Sequence, residues 1–338
     1  MQVVNLERSA FRTKLLNCYD KYLNLSNHQC IAIGIYKNGR YYTFGNAIEK
    51  EHMYDIGSIS KTISAHLILK LASLNLIDLN DTVDKYINLK NGSYPTINEL
   101  LSHSAGYNNL TPIEFTVPSL LMHGYSKKNI YETITDENVS KALQRRRKTK
   151  HLGKYGYSDF AYAILALVAK NVCQKEYATL LKDFINNDLQ LEDTLLTLNQ
   201  NRFPYSVKNN KIIKCWKWNL DNPYLFSGGV VSNIYDMLKY ISIQIEGNQS
   251  YINEAHQVSE NVQSKTNIKI CKGWHTYKKS NQLWHVGGVG TFRSSIIINK
   301  EKKVGIIVLG NTKGISSANV HYLAKMLYSE LKIKKIIL

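Results

Sequence analysis

The apolar pattern of the chain predicts an α/β (α+β) fold, in which one antiparallel sheet is flanked by helices and carries an inserted, mainly helical lobe. Three observations predict it. Two strand patterns near the N-terminus are joined by Asn38-Gly39, and Asn-Gly is a strong hairpin signal. Further strand patterns stand late in the chain, near 268–278, 282–286, 292–299 and 303–310. Between the two groups, as far as about residue 195, the spacing is mainly helical with Gly, Asn and Pro punctuation.

Taken in order, residues 4–24 read as a helix with Leu6, Leu15, Leu16, Tyr19 and Tyr22 on one side. Strands near 29–37 and 40–47 follow. A helix then starts at Ser58, with Ile59, Ile63, Leu67, Leu71 and Leu74 at helical spacing. Residues 75–82 make a turn into a further helical segment. Among the late strands, Lys278-Lys279-Ser280-Asn281 turns the chain between the first two, and residues 315–335 close it as an amphipathic helix. The expected organisation is one domain over 1–338, with a sheet lobe at about 1–57 and 200–338 and a helical lobe at about 58–199.

Composition narrows the function classes. With 338 residues, 44% of them hydrophobic, the chain can bury a sizeable core. Its five cysteines are odd in number, scattered and without a Cys-x-x-Cys. That argues against a disulfide framework or a zinc site and fits a reducing compartment. No apolar h-region marks a signal peptide, because Val3, Val4 and Leu6 are soon broken by Glu7, Arg8 and Arg12. The longest apolar run, Ala161 to Ala169, is too short to span a bilayer. A cytoplasmic protein without a membrane span is expected, although a processed, exported form would read the same way. The net charge of +17, densest at Arg145–Lys150, would suit an anionic partner. Without aromatic interleaving or a nucleic-acid module, solvated surface lysines explain it better, and no nucleic-acid partner is expected.

Chemistry points to Ser58 and Lys61. A hydroxyl and an amine three apart on a helix share a face. In the first turn, Ser58 also feels the positive end of the helix dipole, which favours negative charge on its oxygen. A free hydroxyl is a poor nucleophile until a nearby base takes its proton. The bare triplet is weak, since Ser329 and Lys332 repeat it on the closing helix. What distinguishes Ser58 is a strand-to-helix corner, the preceding Gly57 and two partner motifs downstream. These are Gly156-Tyr157-Ser158-Asp159, running into an apolar helix, and His285-Val286-Gly287-Gly288 on a late strand.

With those motifs in that order, the chain resembles the serine β-lactamase-related hydrolases. The branch is the one containing class C β-lactamases, D-aminopeptidases, DD-carboxypeptidases and related esterases. Two flanking segments agree, Glu99–Gly106 with its leucines and His103, and Ser227–Ser232 with Asp236. The resemblance covers roughly residues 28 to 312 and implies a β-lactamase/DD-peptidase-like fold. It implies Ser58 as the nucleophile of an acyl-enzyme, with Lys61 and Tyr157 sharing the acid and base work. The N–H groups of Ser58 and Gly288 would form an oxyanion hole. His285 would stand in for the motif lysine, and Gly287 would let substrate lie along the strand edge. His103 reads as a hydrogen-bonded structural histidine. No metal or cofactor is implied, and the substrate would be a small ester, a D-amino-acid amide or a short peptide. The oligomeric state is left open.

One departure stands out. Where the family has asparagine, this chain has Asp159, and a carboxylate only accepts hydrogen bonds whereas an amide also donates. Asp159 is expected to pair with Lys61, hold it protonated and shift the base role toward a Tyr157 phenolate. The same residue keeps open a catalytically weak binding or regulatory protein that recognises cell-wall peptides. A nucleic-acid-associated protein is a more distant alternative. Specificity is expected in residues 107–150 and 197–226.

Overall fold

The computed structural model describes residues 1–23, 27–107, 129–146, 151–196, 204–209, 211–311 and 317–332. Strand β1 (Val3–Asn5), a 3-10 turn and helix α1 (Thr13–Leu23) come first, which corrects the single helix expected over 4–24. The β-branched Val3 and Val4 suit an extended backbone. They find partners in parallel register on Tyr41 and Tyr42 of the next hairpin. That hairpin joins β2 (Ile31–Lys37) to β3 (Arg40–Gly45). Asn38 and Gly39 turn it with φ of 49° and 81°, the left-handed pair that a two-residue hairpin turn requires.

Strand β4 (Tyr54–Asp55) and a 3-10 turn at Gly57–Ile59 lead into α2 (Ser60–Ser73). Ile59, Ile63, Leu67 and Leu71 are buried as their spacing predicts, but Leu74 caps the helix and is 55% exposed. Helices α3 (Ile97–Leu101), α4 (Asp136–Arg146), α5 (Asp159–Cys173) and α6 (Tyr177–Asp183) follow. The chain then forms a small hairpin, β5 (Ser206–Lys208) with β6 (Lys211–Ile213). A one-turn helix α7 (Leu225–Gly228) precedes β7 (Val231–Ser232), which pairs with β4. Helices α8 (Ile234–Glu246) and α9 (Ser250–His256) complete this part.

The late strands are β8 (Ile268–Ile270), β9 (His275–Tyr277), β10 (Leu283–Val289), β11 (Phe292–Asn299) and β12 (Val304–Gly310), and α10 (Ser317–Lys332) closes the described chain. N- and C-terminal strands share one eight-stranded sheet in the order β1-β3-β2-β12-β11-β10-β9-β8. It is antiparallel except for β1 on β3. Side chains alternate across it, as strand geometry demands. Ile296, Ile298 and Ile307 face one core with α2 and α8, whereas Ile297, Ile306 and Val308 face a second core with α1 and α10. Helices therefore cover both faces. No helix among the described residues is long and apolar enough to cross a membrane.

The strand expected over 268–278 is two strands. Residues Cys271–Trp274 fold back, with Cys271 N–H donating to Trp274 O at 2.8 Å and Gly273 at φ 81°. This turn packs on α2: a Cβ on Gly273 would lie 2.7 Å from Ala65 Cβ and 3.0 Å from Lys61 O. Gly153 shares the positive φ, 78°, but a Cβ there would meet nothing within 4 Å. Gly153→Ala should therefore cost about 1 kcal/mol from backbone strain alone. Gly273→Ala adds a clash with α2 and should cost about 2 kcal/mol more. Urea unfolding midpoints of the two variants check the difference; equal losses would contradict the close packing.

Candidate active site

Two glycine-containing stretches bring the site together. Tyr54 and Asp55 pair with Ser232 and Val231, and Gly57, at φ 53°, turns the chain from that ladder into α2. A Cβ on Gly57 would lie 2.6 Å from Gly288 N. One on Gly287 would run into Ile56 O and Ser294 Oγ, and the Ser294 hydroxyl donates to that same Ile56 carbonyl at 2.7 Å. Side chains at 57 and 287 would thus separate strand β10 from the start of α2. Their absence brings the backbone of Gly288 beside the Ser58 turn, and both residues line one cavity of about 370 Å³. The need for glycine at 287 comes from this interior packing. Along β10, β9 pairs at Leu283 and Trp284.

Helix α2 is held in place by two of its serines. Ser60 Oγ accepts from Val230 N–H at 3.1 Å, and Ser64 Oγ donates to Phe226 O at 2.9 Å. Lys61 lies between them with 0% exposure. A buried charge is costly unless paired, and Lys61 meets three acceptors. Its Nζ donates to Ser58 Oγ at 3.2 Å and to Ser227 O at 2.6 Å. Asp159 Oδ1 lies 2.5 Å away, an ion pair more than an aligned hydrogen bond. The expected Lys61–Asp159 contact is therefore present. The other carboxylate oxygen of Asp159 accepts from Tyr131 OH at 2.7 Å.

Tyr157 reaches the same place through the turn that follows α3. A capping box of Thr96 and Glu99 starts α3. His103, at φ 54°, follows its end. Its carbonyl accepts from Gly156 N–H at 2.9 Å, and its Nδ1 accepts from Ser158 N–H at 3.2 Å. Ser158 in turn caps α5 by accepting from Ala161 N–H at 3.1 Å. The Tyr157 ring packs 4.6 Å from His103, and Lys61 Nζ lies 5.1 Å from its centroid, within cation–π range. Hydrogen-bonded in this way, His103 positions the tyrosine segment.

His285 lines the cavity and is 1% exposed. Burial, with help from His275 and Lys61, holds its pKa well below the ordinary histidine value. It is therefore neutral, and it stands at the motif lysine's position without supplying that lysine's charge. Its Nδ1 lies 2.8 Å from Val286 O. A carbonyl can only accept, so Nδ1 carries the proton and Nε2 presents a lone pair.

Sequence reasoning did not name the cavity's aromatic wall. Tyr131 stacks between Tyr224, at 4.5 Å, and Trp218, at 6.0 Å, with Trp216 beside it. Tyr155, His275, Trp284 and Arg293 also line the space. Burial holds His275 down at about 4. Tyr131 lies within 107–150 and both tryptophans within 197–226, the segments expected to set specificity; residues 108–128, 147–150 and 197–203 lie outside the described residues. A Trp-x-Trp at 216–218 was the available signal. Ser329, from the second Ser-x-x-Lys, is exposed on α10 with its hydroxyl on Lys325 O.

Comparison with known proteins agrees with this geometry. The family model described as Beta-lactamase matches residues 19–328. Protein flp of Staphylococcus aureus (strain MW2) is 24% identical over 277 residues, 76% of this chain and 52% of that protein. Teichoic acid D-alanine hydrolase of Staphylococcus aureus is 26% identical over 239 residues, 66% of this chain and 56% of that protein. The chain spans about half the length of these curated relatives. Among solved structures, a beta-lactamase/D-alanine carboxypeptidase from Yersinia pestis superposes with a TM-score of 0.75 at 20% identity, covering 95% of this chain and 99% of that one. The octameric penicillin-binding protein homologue from Pyrococcus abyssi also gives 0.75, at 22% identity, covering 95% and 77%. These likenesses show the fold, and the family match runs through every segment that builds the cavity: the chain belongs to the beta-lactamase family.

Proposed function

We propose that the protein is a serine hydrolase acting through an acyl-enzyme on an ester, a D-amino-acid amide or a short peptide. The observation that carries this reading is the 3.2 Å contact from the buried Lys61 Nζ to Ser58 Oγ, at a cavity that Ser58 and Gly288 both line. Ser58 Oγ attacks the substrate carbonyl carbon while its proton passes to the acid/base group. The N–H groups of Ser58 and Gly288 hold the tetrahedral oxyanion, a contribution typically worth about a hundred- to thousandfold per donor. The C–O or C–N bond then breaks, and the leaving alcohol or amine takes that proton. Water attacks the acyl-enzyme, gives up a proton by the same route and releases the acid, with Ser58 reprotonated.

The base role falls to Tyr157 in this reading. An ammonium has three N–H donors, and Lys61 has three acceptors in Ser58 Oγ, Ser227 O and Asp159. Asp159 favours that charged form. The charged Lys61, 5.1 Å from the Tyr157 ring centre, would stabilise a phenolate. The relative named teichoic acid D-alanine hydrolase supports D-alanyl compounds as the first substrates to test.

A fluorophosphonate probe followed by intact-protein mass spectrometry tests the nucleophile. One adduct is expected, absent in Ser58→Ala and formed about a hundred- to ten-thousandfold more slowly in Tyr157→Phe, the scale of a positioned acid/base. No adduct on the wild-type protein would favour a cell-wall-peptide binder instead, a reading that the close Lys61–Asp159 pair keeps open.

Asp159 also predicts weak turnover of penicillins and cephalosporins, since it lacks the amide donor for a substrate carbonyl. Asp159→Asn should raise that turnover by up to about tenfold, the upper end for one hydrogen bond between neutral groups. Efficient wild-type hydrolysis, unchanged by the substitution, would refute this role.

A further inference from the structure

Two polar side chains of the motifs, Asp159 and His285, present hydrogen-bond acceptors to this cavity. Asp159 replaces an amide by a carboxylate. One oxygen forms an ion pair with Lys61 and the other accepts from Tyr131 OH, which leaves further lone-pair capacity, since a carboxylate offers about four such sites. Asp159 lines the cavity and is 7% exposed. His285 replaces a lysine by a neutral imidazole. With Nδ1–H on Val286 O, its Nε2 is a buried acceptor with no partner among the described residues.

A buried acceptor without a partner is costly, so a ligand that brings an N–H donor to His285 Nε2 relieves that cost. The aromatic faces of Trp216 and Trp218 on the same wall accommodate a cation better than an anion. Resting on the serine-hydrolase reading above, we propose that the cavity selects an acyl donor with a free amino group next to its carbonyl. Asp159 and the Nε2 lone pair of His285 receive that group as a hydrogen-bond donor. An N-acylated counterpart loses the charge and two of the three donors, and a carboxylate in the same position meets the Asp159 carboxylate and the Nε2 lone pair.

The test compares the methyl ester of D-alanine with that of N-acetyl-D-alanine by kcat/KM, on protein whose Ser58 is titrated in parallel with a fluorophosphonate. The free-amine ester should be preferred about tenfold or more, the scale of one charge-assisted hydrogen bond. Asp159→Asn should reduce the ratio to about one. In the wild-type protein the preference should decline as pH rises through the ionisation of the substrate's amine, near 8. This arm needs no variant to fold. Labelling at Ser58 with equal rates for the two esters, or faster turnover of the acetylated one, would overturn the inference and leave the hydrolase reading standing. Absence of both labelling and turnover would remove the hydrolase reading and the inference with it.

Discussion

A fully buried ammonium organises this protein. Desolvating Lys61 costs several kcal/mol unless its charge is matched, and the matching groups come from separate parts of the chain. Ser58 is one turn away, the Ser227 carbonyl belongs to α7, and Asp159 opens α5. The three meet only when α2, α5 and α7 are docked. Assembly of the site and docking of these helices on the sheet are therefore one event. The Cys271–Trp274 turn presses on the same helix from another side, where Gly273 approaches the Lys61 carbonyl.

Around that ammonium, backbone does as much as side chains. The glycines at 57 and 287 are spaces that let β10 touch the start of α2. His103 takes a left-handed backbone conformation while its carbonyl and ring bind Gly156 and Ser158. That fixes where the Tyr157 ring lies relative to Lys61. The departure at Asp159 and the choice of histidine at 285 act in one direction. Asp159 and neutral His285 move the cavity from donating hydrogen bonds toward accepting them, while the surrounding framework of helices and sheet stays that of the family.

Local chemistry was legible in the sequence and long-range pairing was not. Asn38-Gly39 encodes its turn by itself, and Ser58 and Lys61 are brought together by helix spacing alone. The pairing of Lys61 with Asp159 could be anticipated because both sit in recognisable motifs. Val4 was read into a helix because the strand it pairs with lies almost forty residues away. Residues 268–278 looked continuous because the force that folds them back is contact with α2, although Gly273 marked the place. Leu74 fits the helical period but falls where the helix ends. Tyr131, Trp216, Trp218 and His275 meet around the cavity only through tertiary packing, so none announced its position. The packing of Ile56 and Ser294 beneath Gly287 likewise depends on tertiary contact.

The account turns on Ser58, Lys61 and the edge of β10 forming one reaction centre, and a crystal structure of the phosphonylated protein tests this most directly. The phosphorus should be bonded to Ser58 Oγ, with its free oxygen about 2.7–3.1 Å from the N–H groups of both Ser58 and Gly288. Lys61 and Tyr157 should flank the bonded oxygen. An adduct on another residue, or an oxygen turned away from Gly288 into solvent, would contradict the account.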